Sequence, residues 1–345
     1  MKSLRVRIDL ITKRKAKMNT EILSVDDGIE KAKEILLSGG IVAMPTETVY
    51  GLAADGTNPE AVKKIFEVKG RPSDNPLIAH VHNDYDINKL VVVKHDYIYK
   101  LIKAFMPGPL TLVMESKGVV CKEAVAGGDT LAVRMPSHRG CQALLRAVNL
   151  PLVAPSANLS KHTSPVSAEH VFCDLNGKIP LILDGGRCSG GIESTVLDVT
   201  EKVPRILRAG LITKEMIESV AGGCDIAEHK EGDKVRSPGV KYRHYRPKCD
   251  TALFDITETD KADALYVAEV KKGRTPYIMC SDDVADKFAG KNLLLLGKSG
   301  EEIAYNLYDK LLEGEKKADI IIAVSFGRED GVYLGIMNRL RKSCG

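Results

Sequence analysis

Two short polar segments place hydroxyl and cationic side chains at the ends of predicted secondary-structure elements. Residues 45–52 (PTETVYGL) follow a short apolar run that predicts a buried strand, so Thr48 lies in the turn after that strand. Residues 69–76 (KGRPSDNP) end an amphipathic helix, with Lys69 and Arg71 at its C-terminus. Either segment alone could be an ordinary helix end or a polar turn. Together they favour a binding site for an anionic ligand.

Further polar side chains follow other predicted strands. They are Arg134 in 131–136, Ser156 in 154–160, Ser194 in 192–198 and Arg208 in 205–210. A guanidinium group at a strand end can form paired hydrogen bonds with a carboxylate, and hydroxyls with turn N–H groups suit a phosphate or a ribose. A surface salt bridge, an Asx or Ser turn and a Gly-rich hairpin are the ordinary alternatives. His80 and His82 are two residues apart at the end of one predicted strand, and one of them can face the site.

The candidate residues share one chemical character. They comprise several cations and many hydroxyls but few acids, and no Ser-His-Asp or Cys-His arrangement stands out. Such a site neutralises and orients phosphates and carboxylates and does not move protons. The residues therefore favour phosphoryl or nucleotidyl transfer by positioning and electrostatic stabilisation.

Composition limits the class of protein. A chain of 345 residues, with 44% hydrophobic and 28% charged residues, is long enough for two globular domains. The net charge of +4 suits an anionic small molecule and does not require a nucleic-acid partner. Eight cysteines without a C-x-x-C pair argue against structural zinc and indicate reduced thiols, as in a cytoplasmic protein. No apolar run approaches the roughly 20 residues of a membrane span, so no membrane partner is expected.

Pattern changes divide the chain into four parts. Residues 1–20 form a basic extension, to which no catalytic role is assigned. Residues 21–227 alternate helix and strand patterns, which predicts an α/β domain with helices packed on a sheet. Residues 228–249 form a linker rich in Pro, Gly and cations, and we expect it to fold over the site. Residues 250–345 contain four apolar segments, which predict the parallel strands of a smaller Rossmann-like α/β domain.

The second domain contains one tempting motif. Gly297, Lys298 and Ser299 suggest a phosphate-binding loop, but Asn292 stands where that motif requires glycine. We therefore expect this domain to be a lid or a docking platform without a catalytic group.

Several motifs, taken in chain order, resemble those of the YrdC-like threonylcarbamoyl-AMP synthases in their longer, two-domain form. They lie at 45–52, 69–72, 75–77, 107–111, 134–136, 154–158, 193–196, 237–245 and 338–340. The resemblance implies a YrdC-like twisted sheet with helices around a concave basic site. It also implies a nucleotidyltransferase, an L-threonylcarbamoyladenylate synthase, which joins L-threonine, bicarbonate and ATP into threonylcarbamoyl-AMP and pyrophosphate. The product serves threonylcarbamoyladenosine modification of tRNA, so a downstream tRNA threonylcarbamoyl transferase is the implied partner.

The resemblance also assigns residues to the substrates. L-threonine would be held by Thr48, His80, Arg134, the backbone at Ala154, and Ser194. ATP would be held by Arg71, Asn75, Thr130, Ser156, Ser164, Arg208 and Tyr245. Lys69 and Arg71 would act on the phosphates as catalytic residues, with Mg²⁺ carried by ATP and no metal held by the protein alone. One position departs from the family, because Lys161 follows Ser160 where glycine is common.

Two alternatives from other classes stay open. A double-stranded RNA binding module could use the same basic surface, although the modest net charge counts against it. A carbamoyltransferase of related fold would be expected to carry acylphosphatase and zinc-finger segments, and the absence of cysteine pairs argues against it.

Overall fold

The computed structural model describes residues 19–227 and 245–345. The predicted basic extension, apart from its last two residues, and residues 228–244 of the predicted linker lie outside this range. Among the described helices, none is both long enough and apolar enough to cross a membrane.

Within the described residues, the secondary-structure elements alternate along the chain as the patterns predict. In the first domain the strands are β1 (Glu21–Ser24), β2 (Val42–Met44), β3 (Gly51–Asp55), β4 (Ile78–His80), β5 (Val91–Val92), β6 (Leu110–Ser116), β7 (Thr130–Arg134), β8 (Leu152–Val153), β9 (Leu181–Asp184), β10 (Thr195–Asp198), β11 (Arg205–Arg208) and β12 (Asp225–Ile226). Its helices are α1 (Val25–Leu37), α2 (Pro59–Lys69), α3 (Asp96–Phe105), α4 (Arg139–Val148), α5 (Ala168–Leu175) and α6 (Lys214–Ala221). The second domain contains β13 (Asp250–Phe254), β14 (Pro276–Cys280), β15 (Leu293–Leu295), β16 (Ile320–Val324), α7 (Thr259–Lys271), α8 (Gly300–Lys317) and α9 (Gly331–Cys344).

The described strands of the first domain form one mixed sheet. Their order is β1-β9-β2-β3-β8-β4-β7-β6-β10-β11-β12, with β5 paired to β6. Parallel pairs such as β4–β7 and β6–β10 stand beside antiparallel pairs such as β6–β7 and β2–β3. The predicted α/β class is confirmed.

The second domain has a separate four-stranded sheet with the order β13-β16-β14-β15. All three of its strand pairs are parallel, as predicted. The five residues of β16 are all buried, which is the expected state of a strand covered by helices on both faces. Ser299 caps α8 in a capping box with Glu302. Residues 297–299, which suggest a phosphate-binding loop in the sequence, therefore form an ordinary helix N-terminus.

One strand that bears on the site escapes the sequence patterns, which predict a turn followed directly by α2. β3 pairs antiparallel with β2, with Met44 opposite Gly51, so residues 45–50 form the loop of a hairpin. The strand has no β-branched residue, and therefore little local strand propensity. Its burial and its two neighbouring strands stabilise it instead.

The two domains pack closely against each other. One buried apolar cluster extends from Ile192 of the first domain to Ala304 and Leu307 of α8. Gly191 has a φ of +74°, and a Cβ there would lie 2.2 Å from the carbonyl oxygen of Ala304. The backbone before β10 therefore lies directly against the second domain.

Candidate active site

A single cavity brings together most of the side chains that the sequence nominates. Ten of the thirteen predicted site residues line it: Thr48, Arg71, His80, Arg134, Ala154, Ser156, Ser164, Ser194, Arg208 and Tyr245. Eight of them come from the β2–β3 loop, the ends of β4, β7 and β11, and the segments that follow β8 and precede β10. Arg71 follows α2, and Tyr245 precedes β13. The cavity thus lies where several strand ends meet.

Strand register explains one row of this cavity. His80 of β4 lies opposite Arg134 of β7, and Arg134 lies opposite Thr111 of β6. The Thr111 hydroxyl is 2.8 Å from the Ser194 hydroxyl, which extends the row to the start of β10. Four polar side chains from separate parts of the chain therefore lie side by side across the sheet.

Arg134 is a buried cation with an internal partner on each side. Its Nη1 donates to Thr48 Oγ1 at 2.8 Å, and its Nη2 donates to Glu47 Oε1 at 2.7 Å. Only 4% of Arg134 is exposed. The hairpin loop and the end of β7 thus hold the guanidinium group in one orientation, which suits recognition of a carboxylate.

Two threonines of the hairpin loop have different roles. Thr46 Oγ1 donates to the Val49 carbonyl at 2.6 Å and accepts from the Val49 and Thr48 N–H groups at 3.2 Å. Thr46 therefore stabilises the turn, while Thr48 faces Arg134. The Ala154 N–H donates to the Ile78 carbonyl at 3.0 Å, so a ligand contact by this backbone would use the Ala154 carbonyl.

His80 is neutral in this site. Its Nδ1 lies 3.0 Å from the Ile78 carbonyl oxygen. Burial, together with the nearby Arg134 cation, lowers the pKa of His80 to about 3. At physiological pH His80 can therefore offer a hydrogen bond but no charge.

Lys69 is held inside the protein and is not a solvated helix end. It is the last residue of α2, where Gly70 terminates the helix with a φ of +59°. Its Nζ donates to the carbonyls of Ser156 and Asn158, each at 2.5 Å. Burial, with repulsion from Arg71, lowers the pKa of Lys69 well below its usual value. Lys69 thus fixes the loop that carries Ser156, directly beside the cavity.

Arg71 and Asn75 lie after the end of α2. Arg71 is half-buried, and its Nη2 lies 3.4 Å from the Asn75 and Pro76 carbonyls. Asn75 is 1% exposed, yet neither its Nδ2 nor its Oδ1 has a hydrogen-bond partner among the described residues. A buried amide without partners costs free energy. Asn75 does not line the cavity, so its contact with ATP stays a prediction.

Thr130 is the predicted residue that lies apart. It begins β7, whereas Arg134 ends that strand, and four residues of strand span about 13 Å. Thr130 lines a separate depression with Glu115 and Thr200. Its proposed contact with ATP stays a prediction.

Two buried acids adjoin the cations of the site, although the sequence analysis assigns neither of them a role. Glu47 and Glu193 are each 7% exposed, and Glu193 lines the cavity. Burial opposes ionisation of Glu193, but the Arg339 and Arg208 cations overcome it and lower its pKa to about 2. The sequence patterns miss these acids because their cationic partners are remote along the chain.

Arg208 and Tyr245 form a further part of the cavity wall. Arg208 Nη2 donates to the Ser194 carbonyl at 3.0 Å and to the Ser194 hydroxyl at 3.2 Å. Tyr245 is 5% exposed and accepts, through its carbonyl, a hydrogen bond from the Thr163 hydroxyl at 3.2 Å. Tyr245, the first described residue of the predicted linker, is thus part of the cavity, while residues 228–244 of that linker lie outside the described residues.

Two further cavity residues have no role in the sequence analysis. Asn158 and His162 line the cavity, and His162 Nδ1 lies 3.1 Å from Asp174 Oδ1 on α5. Partial burial of Asp174 raises its pKa, but hydrogen bonds from His162 and the Leu159 N–H outweigh this and lower it. No spacing signal could have paired a loop histidine with an aspartate on a following helix.

Comparison with known families covers both domains. A family model described as "Telomere recombination" (Sua5, YciO and YrdC) matches residues 34–210. A second, described as "Threonylcarbamoyl-AMP synthase, C-terminal domain", matches residues 212–345.

Individual relatives align over nearly the whole chain. A threonylcarbamoyl-AMP synthase of Bacillus subtilis is 41% identical over 331 residues, which is 94% of this chain and 95% of the relative. One from Pyrococcus abyssi is 39% identical, over 94% of this chain and 98% of the relative. The crystal structure of P. abyssi Sua5 complexed with L-threonine superposes with a TM-score of 0.86 at 38% identity, covering 94% of this chain and 96% of that one.

Proposed function

This chain belongs to the threonylcarbamoyl-AMP synthase family, and we propose that it joins L-threonine, bicarbonate and ATP into threonylcarbamoyl-AMP with release of pyrophosphate. Curated relatives with this name align over 94% of the chain, which leaves no support for the RNA-binding or carbamoyltransferase alternatives. The observation that carries the proposal is the shared cavity: a row suited to an amino-acid carboxylate and a group suited to a nucleotide lie in one space.

The amino-acid side of the cavity is the row His80, Arg134 and Ser194. In the proposal the Arg134 guanidinium group binds the threonine carboxylate, and Thr48 and Ser194 offer hydroxyls beside it. A neutral His80 adds a hydrogen bond without repelling the cation next to it. The P. abyssi structure that superposes on this chain is a complex with L-threonine, which supports L-threonine as a substrate.

The nucleotide side is formed by the residues after α2, the loop after β8, and Ser164, Arg208 and Tyr245. In the proposal Lys69 and Arg71 neutralise phosphate charge: Arg71 lines the cavity, and Lys69 lies behind the loop that carries Ser156. A bound triphosphate would favour the protonated form of Lys69 and so raise its lowered pKa. Asn75 would gain the hydrogen bonds that it lacks among the described residues.

The proposed chemistry is a nucleotidyl transfer. Threonine's amino group and bicarbonate give a carbamate with loss of water, and a carbamate oxygen attacks the α-phosphorus of ATP. The new oxygen–phosphorus bond forms as the bond to pyrophosphate breaks, and pyrophosphate leaves. Lys69 and Arg71 stabilise the charge on the phosphates, and the two substrates react because the cavity holds them side by side.

Magnesium enters with ATP in this proposal. Lys69 and Arg71, the groups placed near the phosphates, are cations, which suits an ion coordinated by the triphosphate itself and by water. Among the described residues no cluster of three His, Cys, Asp or Glu side chains could hold a metal ion. When bound, the ion supplies neutralisation of phosphate charge.

The product must be consumed by a second enzyme. A mixed anhydride of a carbamate and AMP is an activated acyl donor, so we propose a tRNA threonylcarbamoyl transferase as the next enzyme. We place the reaction in the cytoplasm, and the eight cysteines support this because all are free thiols, as a reducing compartment would keep them.

Pyrophosphate release tests the proposal. We expect release from ATP only when L-threonine and bicarbonate are both present. Pyrophosphate release that does not depend on L-threonine, or does not depend on bicarbonate, would contradict the proposed function.

A further inference from the structure

The Glu193 carboxylate of the first domain accepts hydrogen bonds from two side chains of the second domain. Arg339 of α9 donates from Nε to Glu193 Oε2 at 3.1 Å, and the Tyr308 hydroxyl of α8 donates to the same oxygen at 2.9 Å. Arg339 is fully buried. A buried, ionised carboxylate in the wall of the cavity is therefore held by two side chains of the second domain.

Glu193 in turn fixes a hydroxyl in the cavity. The Ser164 hydroxyl donates to Glu193 Oε1 at 2.6 Å. An ionised carboxylate can only accept, so the Ser164 hydrogen points at Glu193 and the oxygen lone pairs are left for other partners. Ser164 lines the cavity, and its oxygen can then only accept a hydrogen bond from a ligand.

The Arg339 side chain also donates hydrogen bonds to backbone carbonyls of both domains. Arg339 Nη2 donates to the Glu193 carbonyl at 3.3 Å, and Nη1 donates to the carbonyls of Ala209 and Gly335. Gly335 packs so closely that a Cβ there would lie 3.2 Å from Gly210 Cα. The α9 helix is thus fixed against the ends of β10 and β11, although Arg339 does not itself line the cavity.

We propose that Arg339 is a positioning residue of the active site. Through Glu193 it holds Ser164 as a hydrogen-bond acceptor for a donor of the nucleoside, either a ribose hydroxyl or the adenine amino group. The second domain thereby sets the affinity of the first domain for ATP. This inference rests on the proposed function and deepens it.

Ligand affinities measured separately test the first step. Arg339→Met removes the charge while keeping a long side chain, and Arg341→Met on the same helix, where Arg341 is half-exposed and pairs with Glu329, is the control. We expect Arg339→Met to weaken binding of a non-hydrolysable ATP analogue at least about tenfold. Threonine affinity should change less than about threefold, because Glu47 holds Arg134. Equal losses for both ligands, or no loss for the analogue, would overturn the inference.

Weak binding of the ATP analogue by Arg339→Met could also result from lost stability, because the substitution leaves Glu193 as a buried unpaired charge. The double variant Glu193→Gln with Arg339→Met removes both charges and should recover stability. It should still bind the ATP analogue weakly, because the Ser164 hydrogen is no longer fixed by a carboxylate. If the double variant bound the ATP analogue as tightly as the wild type, the Glu193–Arg339 ion pair would have only a structural role and the inference would fail.

Analogues of ATP identify the donor. We expect one of 2′-deoxy-ATP, 3′-deoxy-ATP and purine riboside triphosphate to bind at least about tenfold more weakly than ATP to the wild type. In Ser164→Ala, that analogue and ATP should bind alike. If every analogue loses the same factor in both proteins, Ser164 is not an acceptor for the nucleoside and the inference fails. These affinities decide it even if the wild type forms no threonylcarbamoyl-AMP, an outcome that would instead contradict the proposed function.

Discussion

Arg134 Nη2 lies 2.7 Å from Glu47 Oε1, and both side chains are almost fully buried. The same guanidinium group donates to Thr48, so its orientation is set before any substrate binds. A threonine carboxylate would therefore meet a cation already aimed and partly neutralised. This arrangement makes the planar shape of the guanidinium group as important as its charge.

Arg134→Lys tests that point. Lysine keeps the charge but loses the planar fork, so we expect threonine affinity to fall at least about tenfold, while ATP affinity changes less than about threefold. Isothermal titration calorimetry measures both. Arg205→Lys, at the exposed start of β11, is the matched control and should leave both affinities unchanged. Undiminished threonine binding by Arg134→Lys would refute the assigned role.

Arg71→Ala tests the phosphate side. Removing a cation that stabilises the charge of the departing pyrophosphate should lower the rate of pyrophosphate release by about 100-fold or more, with the fold preserved. Arg146→Ala removes an exposed arginine paired with Asp84 and should have no effect. A steady-state pyrophosphate assay with circular dichroism compares the two. Normal turnover by Arg71→Ala would exclude a role at the phosphates.

His80→Gln tests the effect of burial on stability. Burial and Arg134 lower the pKa of His80 to about 3 in the folded protein, so only the unfolded chain takes up this proton as the pH falls below its usual pKa of about 6.5. The free energy of unfolding of the wild type should therefore fall relative to that of His80→Gln as the pH is lowered from about 6.5 toward about 3. Thermal melts at a series of pH values measure this difference. Parallel curves for the two proteins would show that His80 is not held neutral.

Lys161→Gly tests the position that departs from the family. Lys161 has a φ of +74°, in the left-handed region that favours glycine, and its carbonyl accepts from the Arg246 N–H at 2.9 Å. Its side chain is exposed. Relief of backbone strain should stabilise the protein by about 1 kcal/mol. Lys161→Ala removes the charge but keeps the strain, so an equal gain in melting temperature from both variants would point to charge instead.

Local sequence patterns reach the elements and the cations of the site. Arg134 and Arg208 lie at the strand ends where the patterns place them. β3 could not be predicted because Gly51, Leu52 and two alanines have weak strand propensity without their neighbours. Its stability comes from pairing with β2 and β8.

Relationships between distant residues could not be read from the chain. The row of His80, Arg134 and Thr111 depends on strand register, which local patterns leave open. The Glu193–Arg339 ion pair joins residues 146 positions apart, in different domains. The sequence patterns do not nominate Glu193 for this reason, since a buried acid is recognisable as part of a site only with its partner. Thr130, by contrast, could have been questioned from sequence, because it begins the strand that Arg134 ends.

The central claim is that one cavity joins threonine, bicarbonate and the adenylyl group of ATP. Mass spectrometry of the nucleotide product from ¹³C-bicarbonate, L-threonine and ATP tests it most directly. We predict threonylcarbamoyl-AMP carrying one ¹³C atom, formed in step with pyrophosphate. A product without the label, or AMP and pyrophosphate formed equally well without threonine, would contradict the claim.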